Sequence, residues 1–317
     1  MNNHIQGFQL NNAVIKSSSI DSVGINPTKT VNFGFSPAQL NNVQVQSVSF
    51  NAKEIRVKLP TNVEGYYGGN QTKPMDIYRK RMWSRITFGI VKLTDFEKRH
   101  MDLYYKICNK YGVTRDRDVN LQLVNMEEHG CGFITMVNII ADYYKNNPTL
   151  FEQTYGFPLY DVTENGERVI NYDLLLVDIY LRNNTGGLHN LSVDTDAYED
   201  VLARSFVNQN VSVDLCPKDM SIETYRTAME SGNYQYASIA VSKYKLEPYG
   251  INPEKAYKSN GGHLMTITGI SENGNFIVSS WGFEWELVEG QPYISNQDGG
   301  LFLIHVDNTL TTSIGGN

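Results

Sequence analysis

The feature that most constrains the fold is a change of period. As far as Gly232 the apolar residues recur at three- and four-residue steps; from Tyr236 onward they sit in short, β-branched, partly alternating runs. Helical spacing puts its apolar side chains on one stripe and alternation puts them on one sheet face, so neither pattern can do the other's work. Helices are predicted over Leu93–Tyr111, where Phe96, Met101, Leu103, Tyr104 and Ile107 are suitably spaced and Asp95 stands as cap, and over Tyr172–Arg182 and Ala197–Val207. A further one, "SIETYRTAMESG", is capped by Ser221 and ended by Gly232. Strands are predicted at Tyr236–Tyr244, Gly262–Ile270, Asn275–Gly282 and Gly300–Val306, with a tight Asn273-Gly274 hairpin between the second and third. A helical portion followed by an antiparallel sheet is an α+β domain.

The remainder of the chain is read as a polar leader. Residues 1–74 are rich in Asn, Ser, Gln and Val, and only "AKEIRVKLP" within them suggests a strand. Ordering such a segment costs backbone entropy with little apolar burial in return, so the packed domain is expected over residues 75–317. The basic stretch "MDIYRKRMWSR" at Met75–Arg85 is read as a solvated helix face, with a processing site as the alternative.

Charge and apolar runs exclude several function classes. With 27 basic and 34 acidic side chains the formal charge is -7, and no basic footprint for nucleic acid is expected. The longest apolar runs fall far short of the ~20 residues a spanning helix needs, so no membrane association is expected. "MNNHIQGFQLNN" has neither a basic start nor an apolar core, which argues against a conventional secretory signal. Three cysteines, Cys108, Cys131 and Cys216, encode no disulfide framework or zinc ribbon, and reduced thiols suit a cytosol-like compartment or export without a signal peptide. No cofactor or metal is called for.

One thiol is unusually placed. In "NMEEHGCGFITMVNIIADYYKNN" (Asn125–Asn147), Phe133, Met136, Val137, Ile140, Tyr143 and Tyr144 mark an amphipathic helix stopped at Asn146–Pro148. Cys131 therefore opens that helix, where unpaired amides and the macrodipole favour thiolate. Gly130 and Gly132 leave room for a carbonyl at the sulfur, and the Cys131 amide is placed to donate to an oxyanion. His263, which opens a strand after "NGG", is the candidate base.

"HGCGFITMVNII", "YRTAMESGNYQYASIAV", "GGHLMTITGI" and "FIVSSWG" occur in the order found in papain-like cysteine peptidases, and the chain resembles bacterial members of the bacteriocin-processing type over roughly residues 125–306. The Cys-to-His separation also matches the about 130 to 150 residues known for papain and cathepsins. The resemblance implies a helical lobe with Cys131 at a helix N-terminus, packed on an antiparallel sheet lobe carrying His263. It implies a cysteine peptidase acting on protein or peptide substrates. Cys131 would be the nucleophile and His263 the base, with Asn125 as oxyanion amide, Gln122 as a less well placed substitute, and Ser279 as the residue orienting the imidazole. Ser279 departs from the usual Asn or Asp, so Glu284 is a second candidate partner, and Trp281 would shield the contact.

Other readings stay open. The same pair serves deamidases, transglutaminases and acyltransferases, and the departures at Asn125 and Ser279 also suit a module that binds without turnover. His129 lies two residues from Cys131 but is expected to point away. Cys108 and Cys216 are read as structural thiols and His189 as a loop residue.

Overall fold

A computed structural model describes residues 67–184, 197–207, 209–293 and 299–307, together with two short strands near the N-terminus. The chain divides into two units, residues 1–50 and 51–317. In the first, β1 (Gln9–Leu10) pairs antiparallel with β2 (Ala13–Val14). The strand expected at "AKEIRVKLP" and His189 lie outside the described residues.

The second unit is mixed helix and antiparallel sheet, in agreement with the expected α+β class. Its helices are α1 (Lys73–Ile86), α2 (Asp95–Lys110), α3 (Asp116–His129), α4 (Cys131–Tyr144), α5 (Pro148–Tyr155), α6 (Tyr172–Asn183), α7 (Tyr198–Ser205) and α8 (Ile222–Ser231). A small hairpin, β3 (Tyr160–Val162) with β4 (Arg168–Ile170), precedes α6. No helix among the described residues is long and apolar enough to cross a membrane.

Local chemistry explains the helix ends. Thr94, rather than the expected Asp95, caps α2: its hydroxyl accepts from the Glu97 amide while the Glu97 carboxylate accepts from the Thr94 amide. This reciprocal box satisfies two amides where Asp95 would satisfy one. Pro148 does not merely follow α4; its fixed φ and missing N–H suit it to open α5, with the Asn147 side chain accepting from Leu150. Ser221 and Gly232 bound α8 as the sequence suggests, Gly232 adopting φ +72.

Helix α6 is apolar on all sides and buried from Tyr172 to Leu181, as a central helix must be. Its two carboxylates are neutralised where they sit. Asp173 accepts from Tyr104 and bonds His100 Nδ1 at 2.5 Å, with Lys73 3.9 Å away, and Asp178 takes Lys110, Tyr111 and Arg182. Although burial alone would raise the Asp173 carboxyl, the His100 and Lys73 charges hold it well below the usual carboxylate range. Helix α4 is buried almost throughout, and truncating Ile139 or Ile140 would cost about 2 to 5 kcal/mol.

The sheet comprises β5 (Val211–Pro217), β6 (Tyr236–Pro248), β7 (Tyr257–Ile270), β8 (Phe276–Ser280), β9 (Phe283–Pro292) and β10 (Gly300–Val306), in the order β5-β10-β6-β7-β8-β9. The far half of β6 also pairs with β9, so β6 to β9 close into a ring of four strands. Period-two alternation sorts the two faces: Leu264, Ala240, Phe302 and Ile304 join the helical core, whereas Met265, Ile239, Leu301 and Leu303 join a second core with Tyr225 and Ala228 of α8. In the turn at Asn273-Gly274 only Gly274 takes positive φ, and the Asn273 side chain donates instead to Glu286.

Residues 67–72, assigned to the leader from their composition, pack within this unit. Gly68 and Gly69 run beside α4, where the Gly69 amide donates to Asn138 Oδ1 at 2.8 Å. The bare backbone is needed at Gly68: a Cβ there would stand 2.4 Å from Ser279 Oγ.

Candidate active site

Helices α3 and α4 meet at a single residue, Gly130, which is both the last cap of one and the first of the other. A side chain at Gly130 would place its Cβ 2.3 Å from the Met126 carbonyl oxygen. The glycine thus serves the helix–helix corner that presents Cys131, a nearer demand than the room for substrate expected from sequence.

The Cys131 sulfur lies where α4 meets β7. Backbone amides of Leu264, Gly132 and Cys131 itself are directed at it and favour thiolate, yet burial outweighs them and pushes the thiol above its ordinary value. Leu264 follows His263 directly in β7, the strand against which α4 packs; Leu264 joins the helical core with Cys131, while the His263 ring stacks on Tyr244 and Trp281 of the second cluster.

His263 is buried and clamped. Its ring stacks on Tyr244 at 5.4 Å on one contact and on Trp281 at 4.9 Å on another, with interplanar angles of 16° and 15°. Both aromatic partners are aimed by unusual backbone. Tyr244 follows a bulge in β6 at which Lys243 has φ +46. Trp281 and Gly282 form the two-residue turn between β8 and β9 with φ +51 and +83, the geometry of a type I′ hairpin. A tryptophan in the left-handed region costs about 1 to 2 kcal/mol, strain that the ring contact with His263 accompanies. Burial lowers the His263 imidazole from 6.5 to about 4.

His263 Nε2 bonds Ser280 Oγ at 2.8 Å, and among the described residues this is the hydrogen bond the imidazole makes. Among the described residues Nδ1 makes none, and no hydrogen bond joins the Cys131 sulfur to the ring. The expected partner, Ser279, is therefore displaced by one residue. In β8 successive side chains alternate faces, so Ser279 turns toward α4, donating to the Tyr67 carbonyl at 2.9 Å and accepting from Asn138 Nδ2 at 3.3 Å. Glu284, on the neighbouring β9, accepts from Thr268 Oγ1 at 3.3 Å.

The oxyanion candidates also fall differently. Asn125 and Gln122 lie within α3, the helix that ends at the Gly130 cap. Gln71, which sequence reading left in the leader, is buried; its Cβ lies 3.5 Å from where a Gly130 Cβ would stand, and its Nε2 donates to the Glu127 carbonyl at 2.8 Å. The glycine-flanked "GGNQ" is the signal that marks close backbone approach there. His129 ends α3 with Nε2 3.7 Å from Glu128. Burial raises the Cys108 thiol to about 12, and burial with the Asp219 and Asp214 charges raises that of Cys216. Among the described residues no group of three or more His, Cys, Asp or Glu is arranged to hold a metal.

In comparisons with known proteins, the chain matches no family model and no curated protein.

Proposed function

We propose that this chain is a papain-like thiol hydrolase of the bacteriocin-processing type, cleaving peptide bonds in a protein or peptide substrate, with α4 and the β6–β9 ring as its two lobes. One observation carries the reading: Cys131 opens a helix, α4, that packs on β7, the strand that carries a histidine clamped by Ser280 and Trp281. A lone buried cysteine needs no such neighbour.

The resting thiol and imidazole are both neutral, so the proton moves during attack and not before it. Sγ forms a bond to the substrate carbonyl carbon as its proton passes to His263 Nδ1, and the Cys131 amide donates to the oxyanion. Gln71 is the carboxamide nearest that turn and the better candidate for a second donor than Asn125. The imidazolium returns the proton to the leaving amine; water, deprotonated by Nδ1, then releases the acyl group and restores the thiol. Ser280 orients the ring through Nε2 but supplies no negative charge to the imidazolium. The setting is a reducing compartment, or export without a conventional signal.

The missing sulfur–imidazole bond and the low imidazole basicity favour a second reading, a papain-like module that binds peptides without turnover. Incubation with a defined peptide mixture separates the two by mass spectrometry. New peptide termini, absent for Cys131→Ala, support hydrolysis; a deamidation shift or an amine adduct assigns the pair to another acyl acceptor; no change of any peptide supports the binding module.

A further inference from the structure

The end of α1 carries a second feature, independent of the thiol. Four of the eight large apolar side chains that stand exposed among the described residues, Trp83, Ile86, Phe88 and Ile90, fall within this one turn. Phe88 is 97% and Ile90 86% exposed, so both project from the surface and do not line a groove. Clustering of this kind marks interaction surfaces; single exposed residues do not.

The turn is well ordered. Amides of Thr87, Phe88, Gly89 and Ile90 donate to the carbonyls of Trp83, Arg85, Ser84 and Thr87, and the Thr87 hydroxyl accepts from Val91. Phe88 nevertheless has φ +51, a left-handed conformation that disfavours a large side chain. The fold thus tolerates backbone strain to hold an aromatic ring in water, and strain maintained without an internal contact points outward.

Cations frame the prominence. Arg85 and Lys92 flank it in sequence, and the Arg85–Asp116 pair at 3.8 Å brings in the exposed Arg115 and Arg117 at the start of α3. Asp116 is shared by Arg81, Arg85 and Tyr105, and Asp118 by Arg115 and Arg117. Four arginines, Arg81, Arg85, Arg115 and Arg117, thus share two carboxylates here, on a chain whose net charge is -7.

We propose that the α1 end is a peripheral docking surface for an anionic lipid bilayer. A convex apolar tip ringed by Arg and Lys suits an interface that yields around Trp, Phe and Ile while its headgroups bind the cations, and it requires no matching pocket. Surface docking of this kind needs no spanning helix, so it sits beside the absence of one and departs only from the sequence-based expectation of no membrane contact.

The test is co-sedimentation of the full chain with vesicles of phosphatidylcholine alone or mixed with phosphatidylserine, at low and high salt. Binding is expected to the mixed vesicles only and to weaken with salt, with a blue shift of Trp83 emission. Phe88→Asp/Ile90→Asp and Arg115→Glu/Arg117→Glu are each expected to weaken it by roughly tenfold or more while leaving thermal unfolding unchanged, since all four side chains are exposed. Failure of the native chain to pellet with mixed vesicles would overturn the proposal, as would equal pelleting of the Phe88→Asp/Ile90→Asp variant. A dimer in light scattering that this variant dissolves, without lipid binding, would also overturn it and assign the face to a second copy.

Discussion

His263 Nε2 lies 2.8 Å from Ser280 Oγ, and the hydroxyl one residue earlier, Ser279, is bonded 2.9 Å away to the Tyr67 carbonyl on the other side of the sheet. Two adjacent serines thus hold separate tasks, one orienting the imidazole and one tying the 67–71 segment to β8. Ser280→Ala is expected to lower kcat/KM about tenfold, as loss of one orienting hydrogen bond of ~1.4 kcal/mol does, with little change in stability. Ser279→Ala should do the reverse, costing about 1 to 3 kcal/mol in urea unfolding because Asn138 loses a buried partner. Kinetics and urea midpoints on both variants read the two effects apart.

The clamped imidazole also links folding to pH. Its folded value of about 4 lies below the unfolded 6.5. A histidine depressed in this way stays neutral when folded, so its contribution is fully present above pH 6.5 and is lost as pH falls from 6.5 toward 4. The loss amounts to about 3 kcal/mol across that window. His263→Asn removes it: between pH 7 and pH 4 the variant's unfolding free energy should fall less steeply than the native chain's. Parallel curves would show that the ring is not held neutral by burial.

Much of this architecture is legible in the residues, and the failures have physical causes. Strand β10 and the cap and stop of α8 coincide with the expectation because alternation, Ser221 and Gly232 are local signals that burial reinforces. Helix α3 escaped notice because its apolar stripe is narrow, only Val119, Leu123 and Met126 being buried. Strand β5 is a sheet edge with only Val211, Val213 and Leu215 half-buried on its inner face, too short an alternation to stand out, and β9 carries Glu284 and Glu286 in buried positions where polarity argues against a strand. The helix that starts at Cys131 coincides with the expectation, whereas His263, expected to open its strand, lies inside β7, which begins at Tyr257. Ser280 was missed because a one-residue step along a strand changes face, and spacing from a motif does not reveal which face the imidazole occupies. Gln71 was hidden by lying 60 residues away in a segment whose polarity reads as unfolded.

The central claim is that Cys131 and His263 act as one unit, and intact-mass analysis of labelling by a peptidyl epoxide tests it most directly. The native chain should take up a single label, located on Cys131, and His263→Ala should slow that labelling about tenfold or more with Cys131 still present. Equal labelling rates in the two proteins, or a label carried by Cys108 or Cys216, would contradict the account.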